Sequence, residues 1–219
     1  MRPLFILNER LSLCASLVRK GKRVADIGTD HAYLPVWLVR AGFVPFAIAA
    51  DIKAEPLKSG RLTIEKYHAE DSIETRLCDG LKGIEPHEID DIVIAGMGGE
   101  TIIHILDDAL WLKDSTKRLI LQPMSKHELV IDYLYQNGFE LKEHKCTFCD
   151  GKIYTAFSAE YSGHTEPCNE LFSYTGLLSN ENDNDKRFLL SVISHLEKKS
   201  NADSHFGEIA KEIKERFSL

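Results

Sequence analysis

Three aspartates and two glycine-bearing turns are spaced as a nucleoside site requires. Asp26, Asp51 and Asp79 stand within or just after short apolar runs at residues 23–27, 46–51 and 73–78, and the first run turns at Gly28 into Asp30 and His31. Asp51 lies 23 residues beyond Gly28, where a carboxylate can accept both hydroxyl hydrogens of a ribose. Asp79 is then placed to accept from the exocyclic amine of an adenine. Each acid alone is equally an ordinary helix N-cap. Two at successive strand ends behind a glycine turn favour adenosine. A fourth run ends in Ile94-Ala95-Gly96-Met97-Gly98-Gly99, with more glycine than a tight turn needs, and a fifth ends in Gln122-Pro123.

The missing glycines narrow the ligand. Asp30 stands where a pyrophosphate-binding fingerprint has its second glycine, and Asp26, Asp51 and Asp79 add further negative charge. A nicotinamide dinucleotide is therefore disfavoured. S-adenosylmethionine suits an acidic cleft, because it brings adenosine without phosphate, a sulfonium cation and an amino group that donates. The glycines at 96–99 would let backbone lie close to the transferring methyl and a flat substrate. The fourth run does not end in Asn/Asp-Pro-Pro-aromatic, the arrangement that holds an exocyclic amine for methylation. A ring nitrogen is the admissible target.

The elements that must hold these residues alternate along the chain. Apolar residues at three- and four-residue spacings predict a helix over 4–19, stopped by Gly21, and a strand over 23–27. A helix over 33–41 ending at Gly42, a strand over 46–51, a helix over 55–68 and a strand over 73–78 follow. Strands over 91–95 and 118–121 flank a helix over 100–106, and a helix over 125–137 takes Ser125 as N-cap and Gly138 as stop. Such alternation implies a parallel sheet covered by helices on both faces, with ligands at the carboxyl ends of the strands.

The runs 139–148 and 152–160, joined by Asp150-Gly151, predict a hairpin that adds an antiparallel strand. The fold class is α/β: a Rossmann-like, class I methyltransferase type of sheet, mostly parallel, plus a small C-terminal helical domain. Residues 1–162 form the cofactor domain. Residues 163–219 form a helical, coiled-coil-like domain, with a polar stretch at 179–185 and helices over 187–199 and 205–217.

The chain has 219 residues, 43% of them hydrophobic, and a net charge of −7, which argues against indiscriminate nucleic-acid binding. Charge is uneven, since Arg2, Arg10, Arg19, Lys20, Lys22 and Arg23 face only Glu9 in the first 23 residues. That patch is a solvated basic face or a phosphate contact. No apolar run approaches the roughly 20 residues of a membrane span, and no signal-peptide pattern opens the chain, so a cytoplasmic location is expected. Five cysteines without regular spacing fit a reducing compartment. Cys146 and Cys149 lack the second ligand pair a zinc site needs, and in a strand they point to opposite faces. No metal is expected. The oligomeric state is left open, with a monomer favoured.

The segments Asp26-Ile27-Gly28-Thr29-Asp30-His31-Ala32-Tyr33-Leu34-Pro35, Asp79-Gly80-Leu81, Ile94-Ala95-Gly96-Met97-Gly98-Gly99, Ile120-Leu121-Gln122-Pro123 and Gly151-Lys152-Ile153-Tyr154 resemble the bacterial TrmK family of tRNA adenine-22 N1-methyltransferases. The likeness covers roughly residues 5–160, and the helical tail in outline. Met124 departs from it, where the family often has Asn. The resemblance implies S-adenosylmethionine held by Asp26, Gly28, Asp30, His31, Asp51, Ile52, Asp79, Gly80, Ala95, Gly96 and Met97. It implies tRNA met by Tyr33, Gly98, Gly99, Gln122 and Pro123, with Lys20, Lys22 and Arg23 on phosphate. Adenine N1 would attack the methyl in line, and Asp30 is the catalytic candidate for stabilising the resulting positive base. Binding the cofactor's amino group is its alternative role. His31 is expected to pack, and Tyr33 either stacks on a base or packs on its helix. Two other readings stay open: a methyltransferase of a small molecule or protein, and a non-catalytic adenosine-binding regulator.

Overall fold

A computed structural model describes residues 3–219. Arg2 of the basic patch lies outside the described residues. In chain order the elements are α1 (Glu9–Ala15), β1 (Val24–Ile27), α2 (Tyr33–Arg40), β2 (Ala47–Asp51), α3 (Ala54–Lys66), β3 (Ile73–Leu77), β4 (Asp91–Gly98), α4 (Gly99–Asp107), β5 (Arg118–Ser125), α5 (His127–Gln136), β6 (Phe139–Cys149), β7 (Lys152–Tyr161), α6 (Glu170–Thr175), α7 (Asp183–Lys199) and α8 (His205–Phe217). A 3-10 turn at Leu110–Leu112 precedes β5.

The strands make one sheet in the order β3-β2-β1-β4-β5-β7-β6. β1 to β5 run parallel, and β7 runs opposite to both of its neighbours, β5 and β6. Every residue of β1 is buried, as expected of a central strand with helices over both faces. Asp26 sits opposite Ala49 of β2 and Val93 of β4. The sheet is wound outward from β1 and β4, so strand order reverses between them and leaves a cleft at their carboxyl ends.

Alternate residues feed two cores. Ala25, Ile27, Ile48, Ala50, Ile92 and Ile94 pack with α4 and α5 on one face, whereas Val24, Ala47, Ala49 and Val93 pack with α1 and α2 on the other. A third cluster joins Cys146 and Ile153 of the hairpin to Leu171, Leu189, Ile193, Ile209 and Ile213 of the C-terminal helices.

Four sequence expectations change here. α1 is shorter than residues 4–19, because Asn8 caps it by accepting from the Leu11 N–H at 2.8 Å, and the chain beyond Ala15 breaks into turns that still bury Leu17 and Val18. Ser125 does not cap α5. It ends β5 opposite Gly98, and Lys126 in a left-handed conformation makes the turn. α6 was not expected. It is a single turn and a half capped by Asn169, too short for periodicity to reveal. α7 begins at Asp183, since Asn182 in the polar stretch accepts from the Asp185 N–H and two aspartates occupy the first turn. Cys146 and Cys149 do separate as expected: one enters the C-terminal cluster and the other meets Glu9 of α1 at 3.2 Å.

His144 of β6 holds the C-terminal segment to the sheet. Its Nε2 lies 2.6 Å from the Thr155 hydroxyl, and its Nδ1 accepts from the Leu177 N–H at 3.3 Å. Gly176 carries φ +52° against the ring, where a Cβ would collide with it. Burial, with His127 adding repulsion, pushes the imidazole down to about 3. Unfolded, the ring takes a proton near its ordinary value of 6.5, so stability is retained above that pH and lost below it. The expected loss is about 1.4 kcal/mol for each pH unit below 6.5. Urea unfolding of the protein and His144→Asn at pH 7.5 and 5.0 checks this. The variant is less stable at pH 7.5, and its deficit shrinks at pH 5.0; a constant deficit rules the account out.

Candidate functional site

The carboxyl ends of β1 to β5 carry the residues that the spacing singled out. Gly28 leaves β1 with φ +77°, and both its N–H and that of Thr29 donate to the Ala50 carbonyl. The turn is thereby pinned to β2. A Cβ at Gly28 would strike the methyl of Met97, so glycine is required both for backbone conformation and for space. Beyond the turn, Ala32 adopts φ 53° and starts α2.

A cleft of about 260 Å³ opens over this turn. It brings together Asp26, Gly28, Asp30, His31, Tyr33 and Ala95 with Asn8, Arg10 and Leu11 of the first helix. Asp26 forms its floor at 8% exposure. Burial raises its carboxyl to about 6, opposed by the Thr29 hydroxyl and the positive Arg10 and assisted by Asp51. Asp30 stands at the mouth, open to solvent, with His31 Nε2 at 3.5 Å. Tyr33 is half exposed, and its ring meets Phe5 at 5.3 Å and His31 at 5.5 Å.

The next strand ends continue the acidic edge. Asp51 accepts from the Lys53 N–H with one oxygen, and Ile52 beside it is exposed. Asp79 holds Lys82 at 2.7 Å, and Lys82 also reaches Asp108, so this acid is already partly neutralised. Gly80 turns at φ +56° against Ile105.

The substrate-side expectations fare unevenly. Gly98 lies open beside Ser125, but a Cβ at Gly99 would collide with the Lys126 carbonyl, so Gly99 serves the close approach of α4 to the β5–α5 turn. Gln122 is a correction. Its side chain has no exposed surface: Oε1 accepts from Arg10 at 2.9 Å and from the Gly96 N–H at 3.1 Å, and Nε2 donates to the Pro123 carbonyl at 3.1 Å. With its polar atoms engaged inside the protein, Gln122 has nothing left for a substrate. Pro123 is buried, and it lines a separate hollow of about 400 Å³ with Met124, Lys152 and Tyr154.

Lys20, Lys22 and Arg23 do not join the cleft. They precede β1, about 16 Å from Gly28 by strand rise. Lys22 lies 3.6 Å from Asp90, and the Arg23 guanidinium covers the Phe46 ring. Arg19 pairs with the buried Asp91 at 2.6 Å. Arg19, Lys22 and Arg23 thus make contacts within the protein at the amino end of the sheet, whereas Lys20 is exposed.

Arg10 is the cleft residue that charge counting misplaced. It falls at helical spacing with Leu7, Cys14 and Leu17, all buried, so it is a cation on an apolar face. That signal was available in the sequence. Among the described residues, no His, Cys, Asp and Glu cluster could hold a metal, and no helix is long and apolar enough to cross a membrane.

Known proteins share this arrangement. The methyltransferase-domain profile matches residues 7–157. A tRNA (adenine(22)-N(1))-methyltransferase of Bacillus subtilis is 38% identical over 154 residues, covering 70% of this chain and 65% of its own length. The solved structure of the B. subtilis M1A22 tRNA methyltransferase TrmK superposes with a TM-score of 0.81 at 30% identity, over 99% of this chain and 97% of that one. Streptococcus pneumoniae Sp1610 in complex with S-adenosyl-L-methionine superposes at 0.86 with 29% identity, over 96% of this chain and 99% of that one.

Asp26 is a group placed at a cost to the fold. Its ordinary value is 3.8, so raising it to about 6 removes stability as pH climbs through that window. Asp26→Asn is therefore expected to gain about 2–3 kcal/mol relative to the unchanged protein at pH 8. The gain should shrink to about 1 kcal/mol at pH 4.5 and disappear only below the ordinary value of 3.8. Thermal unfolding without ligand at both pH values is the measurement. A variant less stable than the parent at pH 8 would show that the carboxylate is structurally compensated.

Proposed function

We propose that this chain, which belongs to the methyltransferase-domain family and within it to the TrmK branch, transfers a methyl group from S-adenosylmethionine to N1 of adenine 22 in tRNA. The observation that carries this reading is the open acidic cleft at the β1–β4 crossover, lined by Gly28 and Ala95 and floored by Asp26. Its residues fit the cofactor. Gly28 leaves the turn at the cleft without a side chain, and the carboxylates of Asp26 and Asp30 suit a cationic ligand without phosphate.

Bound there, S-adenosylmethionine supplies an electrophilic methyl on sulfur. Asp51 offers its second oxygen to the ribose hydroxyls, and Ile52 presents an apolar face beside them. Asp26 faces the cationic portion. Adenine N1 carries its own lone pair, so no side chain needs to remove a proton before attack. The protein's contribution is alignment and exclusion of water. Asp30, exposed at the mouth, is placed to stabilise the positive charge that the base acquires. An adenine in a folded tRNA must leave its stack to reach this depth. The hollow lined by Met124, Lys152 and Tyr154 beside Pro123 supports a route for the flanking strand.

Purified protein is incubated with methyl-labelled cofactor and a tRNA transcript bearing A22 or G22. Label is expected only in the A22 transcript, with a reverse-transcription stop at that position. Asp30→Asn should lower turnover about 10–1,000-fold while changing cofactor affinity little, if its charge acts on the base. Label in both transcripts or in neither would replace this reading with another methyl acceptor.

A further inference from the structure

A second hollow, of about 360 Å³, opens beside the cleft, and Tyr33 lines both. Three rings meet in it. Phe5 lies edge-on to Tyr33 at 5.3 Å and to Tyr67 at 4.9 Å, so it holds the two tyrosines from between. Packing does not cover the group, since Tyr33 keeps 44% of its surface exposed and the neighbouring Ile6 94%. Large apolar side chains left open together around one hollow mark a contact with something outside the fold.

The sign of the charge changes across Tyr33. On the cleft side stand Asp26 and Asp30. On the hollow side the one charged residue is Lys66, which lies 5.6 Å from the Tyr67 ring and has no ion pair among the described residues. Asn8, at the rim, gives its side-chain oxygen to the Leu11 N–H, which leaves its NH2 group to donate elsewhere. Rings to stack on, an amide donor and a cation without an acid beside it form the chemistry that receives a nucleotide. The acceptor creates a need for such a place. An adenine that leaves its stack uncovers the face of its neighbour, and an aromatic side chain can replace the lost contact.

We propose that this hollow seats the nucleotide adjoining the target adenine, its base against Phe5 and Tyr33 and its phosphate on Lys66. Tyr33 then divides the two base positions. The inference rests on the tRNA methyl-transfer reading and adds to it a second base subsite, on the side of α2 and α3.

Binding and single-turnover methylation are measured on the A22 transcript and on two versions with an abasic residue directly before or after A22. Tyr33→Leu and Phe5→Leu should weaken binding of the intact transcript about 5–150-fold, the scale of one stacked base. Tyr33→Phe keeps the ring and should bind within about threefold of the unchanged protein. One abasic transcript should bind the unchanged protein correspondingly more weakly, and Tyr33→Leu should cost that transcript less than about twofold more. Lys66→Gln should lower the salt dependence of binding by about one counterion. Phe5 and Lys66 lie outside the cleft lining, so their variants should bind S-adenosylhomocysteine within about twofold of the unchanged protein. A larger loss would assign the hollow to the cofactor and overturn the proposal. Circular dichroism checks that each variant is folded. If Tyr33→Leu weakens all three transcripts equally, or none of them, the base subsite is overturned. If the unchanged protein leaves A22 unmethylated, the tRNA reading itself falls, and this inference with it.

Discussion

The Gln122 amide is the joint on which the cleft depends. It has no exposed surface, and it ties its own strand β5, where it donates to the neighbouring Pro123 carbonyl, to two elements distant in sequence: Arg10 from α1 and Gly96 near the end of β4. Each of its bonds is worth about 1 kcal/mol net, but a buried amide left without partners costs about 1–3 kcal/mol per group. The three elements therefore move together or not at all. This linkage also explains why β4 and β5 stay paired past the irregularity between Ala95 and Met97, where the ladder shifts register. The irregularity turns Gly96 outward and sends the Met97 side chain across to Gly28, joining the two turns that form the cradle.

Charge is distributed to opposite purposes at the two ends of the sheet. At the amino end, Asp91 is buried but answered by Arg19 through both backbone and side chain, and Arg118 pairs with Glu160 at 2.8 Å. Those ions are largely satisfied within the protein. At the carboxyl end, Asp26 has only a distant cation and a hydroxyl to offset its burial, and Asp30 faces solvent. An unanswered carboxylate at a strand terminus favours a positive ligand over water once the cleft is filled. The arrangement lowers the stability of the empty protein and raises its affinity for a cation.

The strand ends were legible because their information is local. A run of Ala, Val and Ile that ends in Asp and Gly defines a buried parallel strand and its turn without reference to the rest of the chain. The hairpin was legible from Asp150-Gly151 for the same reason, and both residues take positive φ in the turn. What local spacing could not supply was which end of a strand a neighbouring charge would occupy. Lys20, Lys22 and Arg23 are adjacent to β1 in sequence and remote from its functional end. Arg10 is further away in sequence and forms part of the cleft, because α1 crosses back over the carboxyl ends of β4 and β5. Gln122 was placed at the correct strand end but given the wrong partner, since only packing decides whether an amide points into a cleft or into the protein.

These positions constrain the chemistry more than any one catalytic group does. A methyl transfer to a ring nitrogen needs collinear attack and little else from the protein, because the nucleophile is already unprotonated and the leaving group departs neutral. The barrier is then reduced chiefly by holding the reacting atoms on one line and by keeping the site dry. Rigid strand ends do this better than mobile loops. The backbone from Ala95 to Met97 is held by the Gln122 bond to Gly96 and by the contact of Met97 with Gly28, while Asp26 is fixed by the fully buried body of β1. Of the two carboxylates in the cleft, Asp30 is the one that remains open to water. Its exposure follows from the same turn that buries Asp26: with Gly28 and Thr29 both bonded to Ala50, the chain must leave the sheet immediately, and the next side chain emerges at the mouth.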